Sequence, residues 1–411
     1  MSKRRIVVVN DDSIARGGTA VLAVMSAKAL ADRGHEVIWL CGDAGANPDL
    51  TAHGIEVVAL GSQPLLHLPA KRALVEGLHN RAAARMMAEF LATRDTPETV
   101  YHVHSWAQIF SPAILPVMRP VARRTLLHAH DMFLACPNGV YMDYQKNRAC
   151  TRVPNSLDCI KTNCDKRSYA QKLWRVARET RVHRALGTLD GWGGILVIHP
   201  GMKPKLARAG YRDDRLFTVR NPAVPYTDTR IRAEDNGALL YVGRLEEDKG
   251  VCEVAAAAAR TGVPLIVVGD GPVRQKLATR YPQAELVGWV EKSDLGTYAA
   301  RARALVLPSR HPEPFGLVIA EALASGLPVL ASNTAEMAGE VEERGFGFAF
   351  DVFSDADFDA AIRRIMEMPA AELRTMSERG FAGDGALGNT PEGWIDALED
   401  QYLRVLKESR A

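Results

Sequence analysis

The chain has 411 residues, of which 47% are hydrophobic and 24% are charged. That length predicts two domains, and the composition is typical of a soluble globular protein. The net charge of +2 argues against nucleic acid as a partner, and no uncharged apolar stretch approaches the ~20 residues of a membrane-spanning helix. We therefore expect a cytoplasmic protein whose six cysteines are reduced.

The first half of the chain begins with alternating strands and helices. Residues 6–9 (IVVV) predict a buried strand, a loop with Gly17 and Gly18 follows, and an apolar helix then runs to Gly34. Another strand comes next, and this order opens a doubly wound nucleotide-binding fold. A glycine pair at such a strand-to-helix turn lets the backbone approach a phosphate.

A later strand, at residues 125–131 (TLLHAHD), ends in His130 and Asp131. Ligands of open α/β sheets gather at the carboxyl ends of the strands. His130 is therefore a candidate active-site residue. A structural role for a histidine at a strand end is the alternative.

The alternation breaks over residues 132–186, which we interpret as an insertion rich in lysine and arginine. Its last part predicts a helix with Leu173, Val176 and Val182 partly on one side and arginines opposite. A solvated helix face that covers the domain edge is one interpretation of this charge. A surface for an anionic membrane or a lipid-diphosphate acceptor is the other.

Four of the six cysteines lie in this insertion. They are Cys136, Cys150, Cys159 and Cys164. Their segment is rich in proline, asparagine and charges, so it is poorly suited to form a core of its own. Three hypotheses compete: a structural metal held by all four thiolates, two disulfides, or buried thiols without a joint role. Zinc is the default metal, and an iron–sulfur cluster uses the same four ligands.

The second half begins a new strand, loop and helix at residues 238–250 (ALLYVGRLEEDKG). Arg244 and Lys249 flank the loop at the carboxyl end of the strand. Two cations there can neutralise a diphosphate that gains charge as it leaves. The next strand ends in a turn that contains Gly269 and Gly271.

Residues 309–329 (SRHPEPFGLVIAEALASGLPV) carry two carboxylates eight residues apart. Glu313 lies in a loop before a proline, and Glu321 lies within an apolar run that predicts a helix. The amides of the predicted first turn are those of Phe315, Gly316 and Leu317. Such amides have no intrahelical acceptors and can receive an anion, so the segment suits a sugar, a phosphate and a ribose in a row. The alternative is a capped helix in which Glu321 pairs with a neighbouring arginine.

The segment EPFGLVIAEALASGLPV closely resembles the E-x7-E signature of the retaining glycosyltransferases of family 4, and VGRLEEDKG resembles the diphosphate-binding motif of that family. The resemblance implies an α/β protein of the GT-B fold, with two Rossmann-like, doubly wound domains facing each other across a cleft. We expect an acceptor-side domain at residues 1–225 and a nucleotide-sugar domain at 236–390. A helix at 391–411 is expected to pack back on the first domain.

The same resemblance implies a role for each candidate residue. Glu313 contacts the transferred sugar, Glu321 binds the ribose, and His130 hydrogen-bonds to the donor sugar and helps to orient the acceptor. The departing diphosphate is stabilised by Arg244, Lys249 and the helix amides. Further donor contacts are implied at Gly17, Gly18, Gly269, Gly271, Trp289 and Val290. For the tryptophan, burial in the core is the alternative.

The sequence thus predicts a hexosyltransferase-like enzyme that moves a sugar, with retention, from a UDP-, GDP- or ADP-linked donor to a hydroxyl acceptor. We expect the acceptor to be a cell-surface polysaccharide or glycolipid precursor, lipid-linked forms included, with peripheral contact at the inner face of the membrane. The only D-x-D triplets, at residues 355–359, do not follow a donor-side strand, so no catalytic divalent metal is expected. Two alternatives stay open: a nucleotide-sugar epimerase of the same architecture, and a catalytically silent, metal-controlled glycan-binding protein.

Overall fold

The computed structural model describes residues 3–15 and 17–410. The first of two compact units consists of Met1–Lys146, Cys150–Val219 and Glu392–Ala411. The second consists of Asn147–Ala149 and Arg220–Pro391. No helix of the described residues is both long enough and apolar enough to span a lipid bilayer.

Nine strands lie among the described residues up to Val219. They are β1 (Arg5–Asn10), β2 (Glu36–Cys41), β3 (Glu56–Ala59), β4 (Thr99–Val103), β5 (Thr125–Ala129), β6 (Met142–Asp143), β7 (Arg148–Ala149), β8 (Gly194–Val197) and β9 (Leu216–Thr218). Seven of them form one parallel sheet in the order β3-β2-β1-β4-β5-β8-β9. The apolar run of β1 is fully buried, as expected of a parallel sheet covered on both faces.

The same described part of the chain contains eight α-helices. They are α1 (Gly18–Asp32), α2 (Pro48–Ala52), α3 (Ala70–Glu76), α4 (Arg81–Arg94), α5 (Ile114–Val117), α6 (Leu157–Lys161), α7 (Tyr169–Leu186) and α8 (Lys203–Arg208). The helix α7 is the one predicted at the end of the insertion, and of the three residues predicted on one side only Val182 is fully buried. Leu173 is 42% exposed, whereas Lys172, Arg178 and Glu179 are buried. The interior that α7 faces is polar here, because Arg178 donates to the Ala107 carbonyl at 3.2 Å.

The second unit contains a six-stranded parallel sheet. Its strands are β10 (Ala238–Val242), β11 (Leu265–Val268), β12 (Glu285–Gly288), β13 (Ala302–Leu307), β14 (Val329–Ser332) and β15 (Gly347–Phe350). Their order is β12-β11-β10-β13-β14-β15. The helices that follow them are α9 (Val251–Thr261), α10 (Arg274–Arg280), α11 (Leu295–Ala299), α12 (Leu317–Ala324), α13 (Ala338–Glu343), α14 (Asp355–Glu367) and α15 (Ala370–Phe381).

The last helix, α16 (Pro391–Arg410), belongs to the first unit from Glu392 onward. Its Trp394 and Tyr402 side chains are fully buried, and the Tyr402 hydroxyl lies 2.8 Å from His102 Nδ1 on β4. The C-terminal segment is thus part of the first unit's core.

Each sheet has a point at which the strand order reverses. In the first sheet it lies between β1 and β4, and in the second between β10 and β13. The loops at the carboxyl ends of these strands diverge and leave a crevice, where open α/β sheets bind their ligands. The topology therefore directs attention to the loops after these four strands.

Candidate active site

The reversal point of the second sheet holds an ion pair between Lys249 and Glu313. The Lys249 Nζ lies 2.7 Å from Glu313 Oε2, and both side chains are largely buried. Lys249 ends a short 3-10 turn after β10, and Glu313 lies in the loop after β13. Because β10 and β13 are neighbours, their loops bring two predicted site residues, separated by 64 positions, into contact.

Two further side chains hold Glu313. The Ser309 hydroxyl donates to Oε2 at 3.2 Å, and His311 Nε2 lies 3.5 Å from the same oxygen. Burial opposes ionisation, but Lys249, His311 and Ser309 outweigh it and lower the pKa of Glu313 from 4.5 to about 2. Glu313 is thus a fixed anion that accepts hydrogen bonds. Ser309 and His311 were not predicted as site residues, although both lie within four residues of Glu313.

This ion pair predicts a pH-dependent contribution to stability. Because the pKa of Glu313 is lower in the folded chain than its ordinary value of 4.5, the carboxylate stabilises the fold above that pH. The contribution is lost as pH falls toward 2. Glu313→Gln should therefore lower the free energy of unfolding by about 3 kcal/mol at pH 7. In denaturant titrations, the difference from the unsubstituted chain should narrow between pH 5 and pH 3, and a constant difference would contradict this account.

The helix that carries Glu321 begins later than predicted. Leu317 is the first residue of α12, and Gly316 is its N-cap, in the left-handed region at φ 72°. Placing Phe315 and Gly316 in the first helical turn is therefore wrong, because the left-handed turn at Gly316 delays the helix. Within the described residues, no side chain caps this end of α12. An uncapped helix start is still available to an anion.

The alternative interpretation of Glu321 was an ion pair with a neighbouring arginine. Glu321 does form an ion pair, but its partner is a lysine. The Lys292 Nζ lies 2.5 Å from Glu321 Oε1, and burial raises the pKa of Glu321 although Lys292 lowers it. Lys292 follows β12, in the same loop as Trp289 and Val290. The pair thus joins α12 to the predicted base pocket. Trp289 is 69% exposed, so the core alternative for this residue is wrong.

Arg244 lies on the same loop as Lys249 but does not take part in the ion pair with Glu313. Its Nη1 lies 2.6 Å from Glu246 Oε1, and its side chain is 70% exposed. Its backbone carbonyl accepts a hydrogen bond from the Tyr241 hydroxyl at 2.8 Å. The structure thus separates a buried cation, Lys249, from an exposed one, Arg244.

Gly269 and Gly271 satisfy a packing requirement. A Cβ on Gly269 would lie 1.9 Å from the Gly243 carbonyl oxygen, and a Cβ on Gly271 would lie 2.5 Å from the Leu245 carbonyl oxygen. The loops after β10 and β11 therefore pack backbone against backbone, which no other residue type permits. This contact accounts for both glycines, and a donor contact there stays a prediction.

At the reversal point of the first sheet, His130 belongs to a group of four imidazoles. His102 and His104 lie at the end of β4, and His128 and His130 lie at the end of β5. His102 Nε2 is 3.0 Å from His128 Nδ1, and His104 Nδ1 is 3.0 Å from His130 Nε2. Of the four, only His130 was predicted as a site residue, although H-x-H occurs in both strands and places the two histidines of each strand on one face.

These imidazoles are neutral. Burial lowers the pKa of His102 and His130 to about 3, and it lowers the pKa of His104 and His128 well below the usual range. Three ring nitrogens are buried without a hydrogen-bond partner among the described residues: Nε2 of His104, Nε2 of His128 and Nδ1 of His130. The three rings line a cavity of about 180 Å³ together with Asp131. Neutral imidazoles can donate to and accept from a sugar hydroxyl.

Gly17 and Gly18 lie beside this cavity. Gly17 is the N-cap of α1 with a φ of 84°, a conformation that favours glycine, and Gly18 begins the helix. Thr19 and Ala20 of the same helix line the cavity that His130 lines. The structure therefore brings the glycine loop and His130 to one place in the first unit.

The four cysteines of the insertion are all free thiols. Cys136, Cys159 and Cys164 are buried, and Cys150 is partly exposed. The alternative with two disulfides is therefore not the state of this structure. Within the described part of the chain, one group of side chains brings three potential metal-ligand atoms within 4.8 Å of one another, and it consists of His102, His104 and His128. The four cysteines do not form such a group. The metal hypothesis for the cysteines stays a prediction.

Comparison with known families identifies the second unit. Residues 229–382 match the family described as glycosyl transferases group 1. This part of the chain is a group 1 glycosyltransferase domain. Glycogen synthase of Mycobacterium tuberculosis (strain CDC 1551 / Oshkosh) is 37% identical over 152 residues, which are 33% of this chain and 35% of that protein. The GDP-mannose-dependent alpha-mannosyltransferase of Mycolicibacterium smegmatis is 34% identical over 170 residues, which are 40% and 43% of the two chains.

The group 1 match therefore spans less than half the length of these curated relatives. Over the whole chain, the likeness is one of fold. Sucrose-phosphate synthase from Thermosynechococcus elongatus superposes with a TM-score of 0.72 at 21% identity, covering 99% of this chain and 100% of that one. The predicted α/β class with two Rossmann-like, GT-B type domains is confirmed. Assignment to retaining family 4, with its E-x7-E roles, stays a prediction.

Proposed function

We propose that the group 1 domain makes this protein a retaining glycosyltransferase that uses a nucleoside-diphosphate sugar. The observation that supports this most is the Lys249–Glu313 ion pair at the reversal point of the second sheet, near the uncapped start of α12. A largely buried cation and an uncapped helix start are both suited to a diphosphate, and this supports the proposal. Glu313 is the adjacent fixed acceptor for hydroxyl groups of the sugar.

In the proposed reaction, the bond from the anomeric carbon to the diphosphate oxygen breaks and the acceptor oxygen forms the new bond from the same face. The acceptor's proton leaves to the diphosphate. Charge grows on the leaving oxygen, so the Lys249 ammonium and the amides at the start of α12 stabilise the transition state more than the bound donor. Arg244 is exposed beside Glu246, and we propose that it turns to the diphosphate when donor binds. Glu321 accepts from the ribose in place of Lys292.

We place the acceptor in the first unit. The cavity lined by His130 shares Gln108 and Phe133 with a second cavity of about 400 Å³. The walls of the second cavity are leucine-rich and basic; they include Leu65, Leu66, Leu68, Leu74, Arg167, Arg175 and Arg178. A polar site that continues into an apolar, cationic groove suits an acceptor hydroxyl on an anionic lipid carrier. Contact with an anionic membrane at this side is part of the same proposal.

A donor panel tests the function. The full chain is incubated with UDP-, GDP- and ADP-sugars, and released nucleoside diphosphate is measured with and without glycan acceptors. We expect one nucleotide class to be turned over and to raise the melting temperature. Lys249→Ala should lose this turnover. Arg301→Ala, which removes an exposed charge paired with Glu285, should keep it. That difference would locate the turnover at the Lys249–Glu313 ion pair. A donor that is only epimerised, or no bound donor at all, would contradict the proposal.

Activity should persist in excess EDTA. The carboxylates of the D-x-D segment are engaged elsewhere, since Asp355 and Asp359 both pair with Arg260. Cations of the chain, rather than a divalent ion, then balance the diphosphate. Turnover is measured before and after EDTA, with added Mg²⁺ and Mn²⁺ as the comparison. Strict dependence on either ion would refute this assignment.

A further inference from the structure

A buried arginine of the first unit lines the leucine-rich cavity of about 400 Å³. Arg178, on α7, is 4% exposed, and its Nη1 donates to the Ala107 carbonyl at 3.2 Å. Among the described residues, this is its one hydrogen bond, and no carboxylate forms an ion pair with it. A guanidinium carries several N–H donors, so most of those of Arg178 are unused. Burial lowers its pKa to about 10, which leaves the side chain charged at neutral pH.

Arg303 shows how the same chain satisfies a guanidinium with a structural role. It is 7% exposed, in the second unit, and donates to four backbone carbonyls. Arg178 is buried to a similar extent but donates to a single carbonyl. Burial of a charged group is costly unless acceptors replace its water. The difference between the two arginines therefore indicates that a ligand supplies the missing acceptors of Arg178.

The acids near Arg178 are engaged with other groups. Three acids favour its charge without forming an ion pair with it, and they are Asp11, Asp131 and Glu179. Asp11 accepts from three backbone amides of the loop after β4. Asp131 accepts from a backbone amide at 2.8 Å, and Glu179 lies 3.2 Å from a histidine of α7. The donors of Arg178 are thus left to a further anion.

Two aromatic rings hold the guanidinium of Arg178 at the cavity wall. Its central carbon lies 5.0 Å from the ring centroid of Phe133 and 5.3 Å from that of Trp174. Both rings line the same cavity. Trp174 Nε1 donates to the Leu74 carbonyl at 2.9 Å, which ties α7 to α3. The cation is therefore fixed in place before a ligand arrives, and this lowers the entropy cost of binding.

The cavity has a cationic wall and an apolar wall. The basic side chains come from α7 and the loop before it, and they are Arg167, Arg175 and Arg178. Arg175 pairs with Asp165 at 2.9 Å, so Arg178 is the buried arginine left for a ligand. The opposite wall is the segment 65–74, where Leu66 and Leu74 are exposed. A guanidinium suits a phosphate group, and exposed leucines suit an alkyl chain.

We propose that Arg178 binds the phosphate of an ester with an apolar chain, and that this ester is the acceptor. The inference rests on the proposed function, which places the reacting hydroxyl in the cavity of His130. Because the two cavities share Gln108 and Phe133, a hydroxyl beside His130 and a phosphate beside Arg178 can belong to one molecule. A reaction that joins a phosphate-bearing group to an apolar carrier must then supply this acceptor.

Direct titration tests the subsite without any turnover. The full chain is titrated with octyl phosphate below its micelle concentration, with inorganic phosphate and with octyl glucoside. Lys249→Ala is titrated in parallel, so that binding at the nucleotide site is recognised by its loss. We expect one octyl phosphate per chain in both proteins, bound about 10-fold tighter than either comparison compound. Equal affinity for octyl glucoside, which would mean that the alkyl chain alone binds, or for inorganic phosphate, which would mean a free-anion site, would overturn the proposal.

Substitution tests the role of Arg178 itself. Arg178→Met keeps a long side chain without donors, and it should weaken octyl phosphate about 10- to 100-fold because charge-assisted hydrogen bonds are lost. Arg178→Lys keeps the charge without the planar fork, so we expect a smaller loss, and it replaces the methionine variant if that chain does not fold. Arg184→Met, an exposed arginine of α7 outside this cavity, should bind normally. Unchanged affinity in the Arg178 variants would overturn the subsite.

Kinetics separate failure of this subsite from failure of the proposed function. With a donor that is turned over, Arg178→Met should raise KM for a phosphorylated acceptor and leave nucleoside diphosphate affinity unchanged. If KM for that acceptor does not change, the subsite is wrong and the proposed function stands. If octyl phosphate binds through Arg178 but no donor is turned over, the phosphate site stands and the transferase function is wrong.

Discussion

Lys249→Ala is expected to lower kcat by about 10²- to 10³-fold while the chain remains folded. The ammonium is largely buried, and its Nζ lies 2.7 Å from Glu313 Oε2. Charge that develops on a leaving diphosphate meets a cation already fixed in place, so the loss falls on the transition state rather than on donor binding. Steady-state kinetics with the donor found in the panel measure kcat and KM separately. A rise in KM with unchanged kcat would show that Lys249 only binds the donor.

Because Lys249 and Glu313 touch, their substitutions should not be additive. Each alanine variant leaves the other charge buried without its partner, and the double variant removes both. We expect the double variant to lose far less than the product of the two single losses. Additive losses in a double-mutant cycle would mean that the two residues act separately, and the ion pair would then be incidental to the reaction.

The second large effect is expected from substitution of the two glutamates. One substitution should weaken nucleotide binding, and the other should lower kcat. Glu321→Ala removes the acceptor proposed for the ribose and should weaken the free nucleoside diphosphate by ~1.5–3 kcal/mol, which is about 10- to 100-fold in Kd. Glu313→Ala removes the contact to the transferred sugar. It should lower kcat strongly and leave nucleoside diphosphate affinity within a few-fold, since the free nucleotide lacks that sugar.

Calorimetric titration of the nucleoside diphosphate into both variants separates these roles. Glu367→Ala, an exposed glutamate of α14, serves as the matched control and should bind normally. Equal losses of affinity in Glu313→Ala and Glu321→Ala would contradict the division of roles. Full affinity in Glu321→Ala would mean that its ion pair with Lys292 is structural.

The elements could be predicted because they depend on local patterns, and the same patterns select the candidate residues of the site. Apolar runs ended by glycine give the strands and helices, and a charge inside such a run, as at Glu321, requires a partner. The partner itself could not be predicted. Lys249 meets Glu313 because β10 and β13 are neighbours and their loops end side by side. Lys292, after β12, meets Glu321 on α12 although β11 and β10 stand between β12 and β13. Both contacts depend on the whole fold rather than on local sequence.

Other differences between the predictions and the structure also arise from the whole fold rather than from local sequence. Periodicity grouped Leu173 with Val182 on one side of α7, but only Val182 is buried. Leu173 is exposed, whereas the polar side chains of Lys172 and Arg178 are buried. The start of α12 depends on a left-handed backbone at Gly316, which an apolar run does not reveal. His102, His104 and His128 escaped notice because each is unremarkable alone, and only adjacency of β4 and β5 makes them a group.

A crystal structure of the full chain with the nucleoside diphosphate selected by the panel tests the central claim most directly. The account predicts the β-phosphate within hydrogen-bond distance of Lys249 Nζ and of the amides that begin α12. It also predicts ribose hydroxyls at Glu321, with Lys292 displaced. Density for the nucleotide away from the loops after β10 and β13, with the Lys249–Glu313 pair undisturbed, would contradict it.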